Sequence, residues 1–216
     1  MDANKKSGDL SGLYAITDGA LQDDLIPKCK AVLSADPGIS LLQYRDKSAD
    51  LARRLTEASA LLSICRQYHT QLIINDDIAL AEQVGAAGVH LGKLDDSVQA
   101  ARERLGDAAI IGVSCYNELE RALAAEQAGA DYVAFGSFFA SPTKPDAPVA
   151  SLELLYEAKA RLRIPVCCIG GITQENAPRL IAAGADMVAV ISSVFGASDI
   201  AQAVQGFNDL FQVQPC

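Results

Sequence analysis

Gln71-Leu-Ile-Ile-Asn-Asp-Asp77 is a short apolar run that breaks abruptly into an amide and two carboxylates. Such a run reads as a buried strand whose C-terminal end is a chemical edge. Further on, Gly88-Val-His-Leu-Gly-Lys-Leu-Asp95 repeats the pattern, with an apolar strand running into glycine and then acid. If the two strands are neighbours, their loops aim carboxylates at one point.

Outward from this pair the chain alternates without a break. Before it come a strand at Gly12 to Thr17, closed by Asp18-Gly19, and a helix from Asp23 to Ser34. Pro37-Gly38 then turns the chain into a strand at Ile39 to Tyr44, and a long helix runs from about Ala49 to Tyr68. The central pair itself contributes strands Leu72 to Ile74 and Gly88 to Leu91, with helices Asp77 to Val84 and Ser97 to Leu105. Beyond it lie strands Ile110 to Ser114, Tyr132 to Phe135, Val166 to Ile169 and Met187 to Ile191. The helices after them are near Glu118 to Gln127, Ser151 to Leu162, Glu175 to Ala183 and Asp199 to Phe211.

An internal echo supports this count of eight strand-helix units. Ala81-Glu-Gln-Val-Gly-Ala-Ala-Gly-Val89, Ala125-Glu-Gln-Ala-Gly-Ala-Asp-Tyr-Val133 and Ile181-Ala-Ala-Gly-Ala-Asp-Met-Val188 each join a helix end, a glycine and a strand start. Gly85, Gly129 and Gly184 fall where a helix end needs a left-handed residue. Nearly all-apolar strands, each returned by a helix, are parallel and covered on their outer face. Eight such units predict one α/β domain, a single (β/α)8 TIM barrel over residues 12–211, with tails at 1–11 and 212–216. An open doubly wound sheet is the alternative, but it would want a glycine-rich loop after an early strand, and no GxGxxG is present.

Bulk properties narrow the function. A net charge of −9 argues against nucleic acid as a partner, because phosphate-coated ligands need broad basic faces. No apolar stretch is long enough to cross a membrane, and the first residues lack a signal core, so a cytoplasmic protein is expected. The six cysteines show no CxxC pair, which favours reduced thiols, and Cys167 and Cys168 should point to opposite faces of their strand. A homo-oligomer is compatible with all of this.

In a barrel the functional face is the C-terminal end of the strands, and the residues there are strongly polar. They are Gln43, Arg45 and Lys47 after the second strand, Asn75, Asp76 and Asp77 after the third, and Lys93, Asp95 and Asp96 after the fourth. Ser114 follows the fifth, Ser141-Pro-Thr-Lys144 the sixth, Gly170-Gly171 the seventh and Ser192-Ser193 the eighth. Paired carboxylates on neighbouring loops suit Mg²⁺, which completes its shell with water and substrate phosphate. Helix capping is the competing role, and both hold together if Asp77 and Asp96 cap while Asp76 and Asp95 face the metal. Arg45, Lys47 and Lys144 beside that pair make sense if a polyanion bridges them. Gly170-Gly171 and Ile191-Ser192-Ser193 suggest a separate phosphate site. Neither His69 nor His90 is given a catalytic role, and no nucleophile-base pair or zinc spacing is present.

Taken together these residues resemble the thiamine phosphate synthase family, from Leu13 to about Phe211. The matching pieces are Leu-Tyr-Ala-Ile-Thr-Asp18, Gln43-Tyr-Arg-Asp-Lys47, Ile-Ile-Asn-Asp76, Gly-Val-His-Leu-Gly-Lys-Leu-Asp95, Asp131-Tyr-Val-Ala-Phe-Gly136, Ser141-Pro-Thr-Lys144, Ile169-Gly-Gly-Ile172 and Ala189-Val-Ile-Ser192. The resemblance implies condensation of two small molecules, a hydroxymethylpyrimidine diphosphate and a thiazole phosphate, into thiamine phosphate and pyrophosphate, with Mg²⁺ as cofactor. It implies Asp76 and Asp95 as metal ligands. Gln43, Tyr44, Arg45, Asp46, Lys47, Asn75, Ser114 and Lys144 would hold the pyrimidine diphosphate; Ser141, Pro142, Thr143, Gly171, Ile191 and Ser192 would hold the thiazole phosphate. Arg45, Lys47, Ser114 and Lys144 would be the catalytic residues, with Arg45, Lys47 and Lys144 stabilising charge on the leaving group beside Mg²⁺. The chain departs from the family at Lys93, where Gln is usual, and at Ser141, where Thr is commoner.

Three other functions are weighed against this one. A relative that acts on the thiazole alone, as an isomerase or regulator, tends to lose the diphosphate residues retained here. A metal-free phosphate-binding isomerase would want a carboxylate base opposite a single phosphate site, and a non-catalytic phosphate sensor would leave the acidic pair idle.

Overall fold

A computed structural model describes residues 10–92, 97–140 and 150–212. Its strands are β1 (Gly12–Ile16), β2 (Leu41–Tyr44), β3 (Gln71–Asn75), β4 (Gly88–Leu91), β5 (Ile110–Tyr116), β6 (Tyr132–Phe135), β7 (Val166–Ile169) and β8 (Met187–Val190). All pair in parallel and in sequence order, and β8 returns to β1 to close the barrel. The expected eight-stranded TIM barrel is what forms.

The outer ring consists of α1 (Leu25–Leu33), α2 (Leu51–Gln67), α3 (Ile78–Val84), α4 (Val98–Leu105), α5 (Leu119–Gln127), α6 (Leu152–Arg161), α7 (Ala177–Ala182), α8 (Ser192–Phe195) and α9 (Ile200–Gln212). Serine and aspartate start several of them: the side chains of Asp50, Asp77, Ser97 and Ser151 each accept from a backbone N–H in the first turn. Asp77 is therefore the cap the sequence predicts. The cap of α4 is Ser97 rather than Asp96, because the hydroxyl one residue later already reaches the Ala100 amide at 3.1 Å. Gly85, Gly129 and Gly184 take the positive φ expected of them.

Alternation along each strand divides the apolar residues into two cores. Inward residues fill the barrel, Leu10, Tyr14, Ile16, Leu41, Ile73, Tyr132, Cys167 and Met187 among them. Outward residues such as Leu42, Tyr44, Ile74, Val89 and Cys168 pack under the helices. Cys167 and Cys168 thus face opposite ways, as expected. Leu10, within the expected tail, is buried and belongs to the cluster that fills the barrel. Among the described residues no helix is long and apolar enough to cross a membrane.

One polar device recurs on the barrel floor. In two copies of the internal echo, an aspartate before a strand accepts from an amide at the start of the preceding strand: Asp131 from Ile111 N at 2.8 Å and Asp186 from Val166 N at 2.7 Å. Each carboxylate also meets a cation from the helix ring, Arg102 at 2.8 Å and Lys159 at 2.6 Å.

Candidate active site

At the C-terminal ends of β2 and β3 a cleft of about 370 Å³ opens, lined by Asp46, Lys47, Ser48, Arg54, Asn75, Asp76, Asp77, Ile78, Ala79 and Arg104. Asp76 sits at its centre with φ 63°, a left-handed conformation that aspartate tolerates better than most residues. Its carboxylate accepts from Asn75 Nδ2 at 2.6 Å and forms an ion pair with Lys47. Asp77 caps α3 and pairs with Arg54 at 2.9 Å. Both carboxylates thus line the cleft, but that of Asp77 is also committed to the start of α3, while that of Asp76 is not a helix cap. Arg54 and Arg104 were not anticipated from sequence, since each reads locally as a surface charge on a helix.

The loop after β2 is held from both sides. Arg45 N donates to Thr17 Oγ1 at 2.9 Å. Asp46 has only 6% of its side chain exposed, and it accepts from Ser48 N at 2.7 Å, Ser48 Oγ at 3.1 Å and Arg53 at 2.5 Å. Tyr44 lies outside the barrel wall and donates to Glu57 at 2.6 Å. The Tyr44 side chain thus braces the loop from the outer side of the barrel wall, while Asp46 lines the cleft and holds its own loop with the same carboxylate. Strand alternation sends Tyr44 outward, away from the substrate-binding place expected of it, whereas Asp46 stays at the cleft.

Burial alone would raise the Asp46 pKa, but the Ser48 amide, the Arg53 guanidinium and the Ser48 hydroxyl outweigh it and hold it below the ordinary carboxylate value. A depressed folded pKa contributes stability that is complete above the unfolded value and disappears as the pH falls through the folded one. Asp46→Asn should therefore lower stability at neutral pH and flatten its decline in acid. Denaturant unfolding from pH 6 down to about pH 3, across the normal Asp range, measures this.

Inside the barrel mouth five side chains from five strands form one hydrogen-bonded chain. Gln43 Nε2 donates to Tyr14 Oη at 2.6 Å, Tyr14 Oη lies 2.9 Å from Tyr132 Oη, Tyr132 Oη lies 2.9 Å from His90 Nδ1, and His90 Nε2 lies 2.8 Å from Ser114 Oγ. Gly112 makes this possible, because a Cβ there would stand 2.0 Å from the Tyr132 ring. Burial pushes the His90 pKa down to about 4, so the ring is neutral at physiological pH, and burial raises both tyrosines. Gln43 and Ser114, named separately from sequence, are thus the two ends of one structure, and His90 is part of it after all. Its inward position, two residues after inward-facing Gly88, was the available signal.

Ser114 is tied down further by Arg121 on α5, which donates to Ser114 O at 2.8 Å and Gly92 O at 2.9 Å and so also anchors the loop after β4. Across the mouth, Gly170 and Gly171 have φ of 102° and 60° and pack against the described start of the loop after β6, where a Cβ on Gly171 would stand 2.5 Å from Ala140 O. Ile191 precedes α8, a short helix absent from the sequence expectation, and Ser192 is its first residue. Ser193 Oγ donates to Ile172 O at 2.5 Å, joining the ends of β7 and β8. The first amides of a helix have no partner within it, so this corner can face an anion.

Gln43, Arg45, Lys47, Asn75, Asp76 and Ser114 therefore share one end of the barrel with Gly171, Ile191 and Ser192. Lys93, Asp95, Asp96, Ser141, Pro142, Thr143 and Lys144 lie outside the described residues, as does most of the loop between Gly136 and Ala150. The described base of that loop is closed, Ala150 N donating to Ser137 O at 2.7 Å.

The family model described as thiamine monophosphate synthase matches residues 13–194. A thiamine-phosphate synthase of Nitrosococcus oceani is 52% identical over 205 residues, covering 95% of this chain and 94% of the relative. One from Thioalkalivibrio sulfidiphilus is 52% identical over 206 residues, covering 94% and 97%. The solved thiamine phosphate pyrophosphorylase from Pyrococcus furiosus is 34% identical and superposes with a TM-score of 0.85 over 95% of this chain and 97% of its own. The chain belongs to the thiamine monophosphate synthase family and is, with it, a transferase of thiamine biosynthesis acting on small molecules.

Proposed function

We propose that the enzyme condenses a hydroxymethylpyrimidine diphosphate with a thiazole phosphate by a dissociative, Mg²⁺-assisted route. The cleft carries this reading: Lys47, Arg54 and Arg104 line it together with Asn75 and the carboxylate of Asp76. That lining suits a diphosphate, which needs cations around it and a metal ligand beside it. The donor set fits Mg²⁺ in that Asp76 offers a hard carboxylate oxygen, from which the metal would displace the Lys47 ammonium toward the diphosphate; Asp95 is the proposed second ligand. When bound, Mg²⁺ would supply fixed positive charge at the diphosphate.

The methylene–oxygen bond breaks first, its electron pair leaving with the diphosphate while Arg45, Lys47 and Lys144 neutralise the growing charge. The electron-rich aminopyrimidine carries the resulting cation, and the thiazole nitrogen then forms the new carbon–nitrogen bond. No protein base is needed, which agrees with a site whose one buried histidine is made weakly basic by burial and has both ring nitrogens engaged, by Tyr132 and Ser114. The corner formed by Gly171, Ile191 and Ser192, with Ser141, Pro142 and Thr143, holds the thiazole phosphate. A cytoplasmic setting suits the buried free thiols Cys29, Cys65, Cys115, Cys167 and Cys168, and the acidic surface gives nucleic acid no footing.

Pyrophosphate release from the two precursors, assayed with and without Mg²⁺, tests this function. Turnover is expected only with both precursors and metal present. Turnover that persists in chelator would remove the metal from the scheme, and none under any condition would overturn the function itself.

A further inference from the structure

We infer that the Gln43–Tyr14–Tyr132–His90–Ser114 chain has one direction, set at Gln43, and that it commits the Ser114 proton to the substrate. His90, Tyr132 and Tyr14 are then positioning residues for Ser114. The inference rests on the functional reading only in taking Ser114 to face the substrate.

The direction follows from counting protons. The Gln43 amide nitrogen can only donate, so Tyr14 Oη accepts at that contact. Tyr14 is 1% exposed and has a single hydroxyl proton, and Tyr132 Oη is its other hydrogen-bond neighbour. Tyr132, fully buried and already accepting, passes its own proton to His90 Nδ1. A neutral imidazole that accepts at Nδ1 carries its proton on Nε2, and that proton goes to Ser114 Oγ. Ser114 thus accepts from the protein, and its hydroxyl proton is left for an acceptor atom in the half-buried mouth. The opposite direction would require the Gln43 carbonyl oxygen to face Tyr14. With the amide nitrogen there, reversal would leave the Tyr14 proton without an acceptor in the barrel interior, where such a loss is costly. The stacking of the His90 and Tyr132 rings, with centroids 5.5 Å apart, and the edge contact of Tyr14 on Tyr132 at 5.9 Å keep the rings in place.

The consequence is selectivity. A substrate group that accepts from Ser114 is favoured, and one that presents a proton there meets another proton. The test is the His90 tautomer, read by long-range ¹⁵N–¹H correlation in the substrate-free, ¹⁵N-histidine-labelled full chain at pH 7.5, with His69→Gln for assignment. The expected spectrum has a protonated Nε2 and an unprotonated Nδ1. In Gln43→Glu an ionised carboxylate can only accept, so wherever the side-chain ¹³C shift shows the new group ionised the chain should reverse and the His90 proton should move to Nδ1. If that variant does not fold or does not ionise, Tyr132→Phe serves in its place and should lose the single tautomer, with protonated Nδ1 becoming measurable. Protonated Nδ1 in the wild type would overturn the inference, as would an unchanged tautomer in ionised Gln43→Glu or in folded Tyr132→Phe. Because the measurement needs no turnover, a failed pyrophosphate assay would sink the proposed function and leave this result standing.

Discussion

Asp76→Asn should reduce metal-dependent turnover by about 10²- to 10³-fold, the loss caused by removing one strong transition-state contact. Asparagine is the informative replacement because it tolerates the left-handed backbone at φ 63° and keeps an oxygen in place while removing the charge. Alanine would combine loss of the ligand with backbone strain. The substitution acts twice in the proposed scheme: it removes an anionic ligand for Mg²⁺, and it releases the Lys47 ammonium that the carboxylate holds before the metal binds. The saturating Mg²⁺ concentration should therefore rise as kcat falls. Thiazole phosphate binding, measured by calorimetry, should change little, because the corner at Gly171 and Ser192 belongs to β7 and β8 on the other side of the mouth. Equal loss of both would contradict a scheme with two separate anion sites.

The largest stability effect is expected on the barrel floor, far from any substrate. Arg102 donates to the carbonyls of Gly106 at 3.1 Å, Asp107 at 3.2 Å, Ala109 at 2.7 Å and Gly129 at 3.0 Å, and to Asp131 at 2.8 Å. One guanidinium thus ties the α4–β5 turn to the α5–β6 turn. The side chains of Arg102 and Asp131 are only 22% and 19% exposed, so removing the arginine leaves a partly buried carboxylate with the Ile111 amide but no countercharge, and several carbonyls without their donor. Arg102→Ala should cost about 3 kcal/mol, the low end for breaking a buried pair. Its turnover per folded molecule should be unchanged, as expected for the face of a barrel that supplies stability and not catalysis. Urea unfolding gives the stability loss, and the same preparation assayed below its transition gives the turnover. A loss below about 1 kcal/mol would mean that the pair behaves as an ordinary surface salt bridge.

The sequence by itself determined the fold and half of the site, because both depend on local periodicity. Strands such as Val166 to Ile169 are apolar on both faces, and only a covered parallel sheet accepts that. The order of strand and helix then leaves a barrel, and the barrel fixes which end carries chemistry. Lys47, Asn75 and Asp76 were legible because each lies at or just past the end of a strand. The parts that were not legible are those that depend on distance in space between residues far apart in the chain. His90 and Tyr132 look like strand filler until closure sets β4, β5 and β6 side by side and Gly112 yields room for the tyrosine ring. Arg54 and Arg104 look like helix surface until α2, α3 and α4 close around the cleft. Asp46 and Tyr44 sit in the same motif, yet side-chain direction keeps one at the cleft and sends the other beneath α2. Periodicity decides which face a residue takes, and only the closed barrel decides what it meets there.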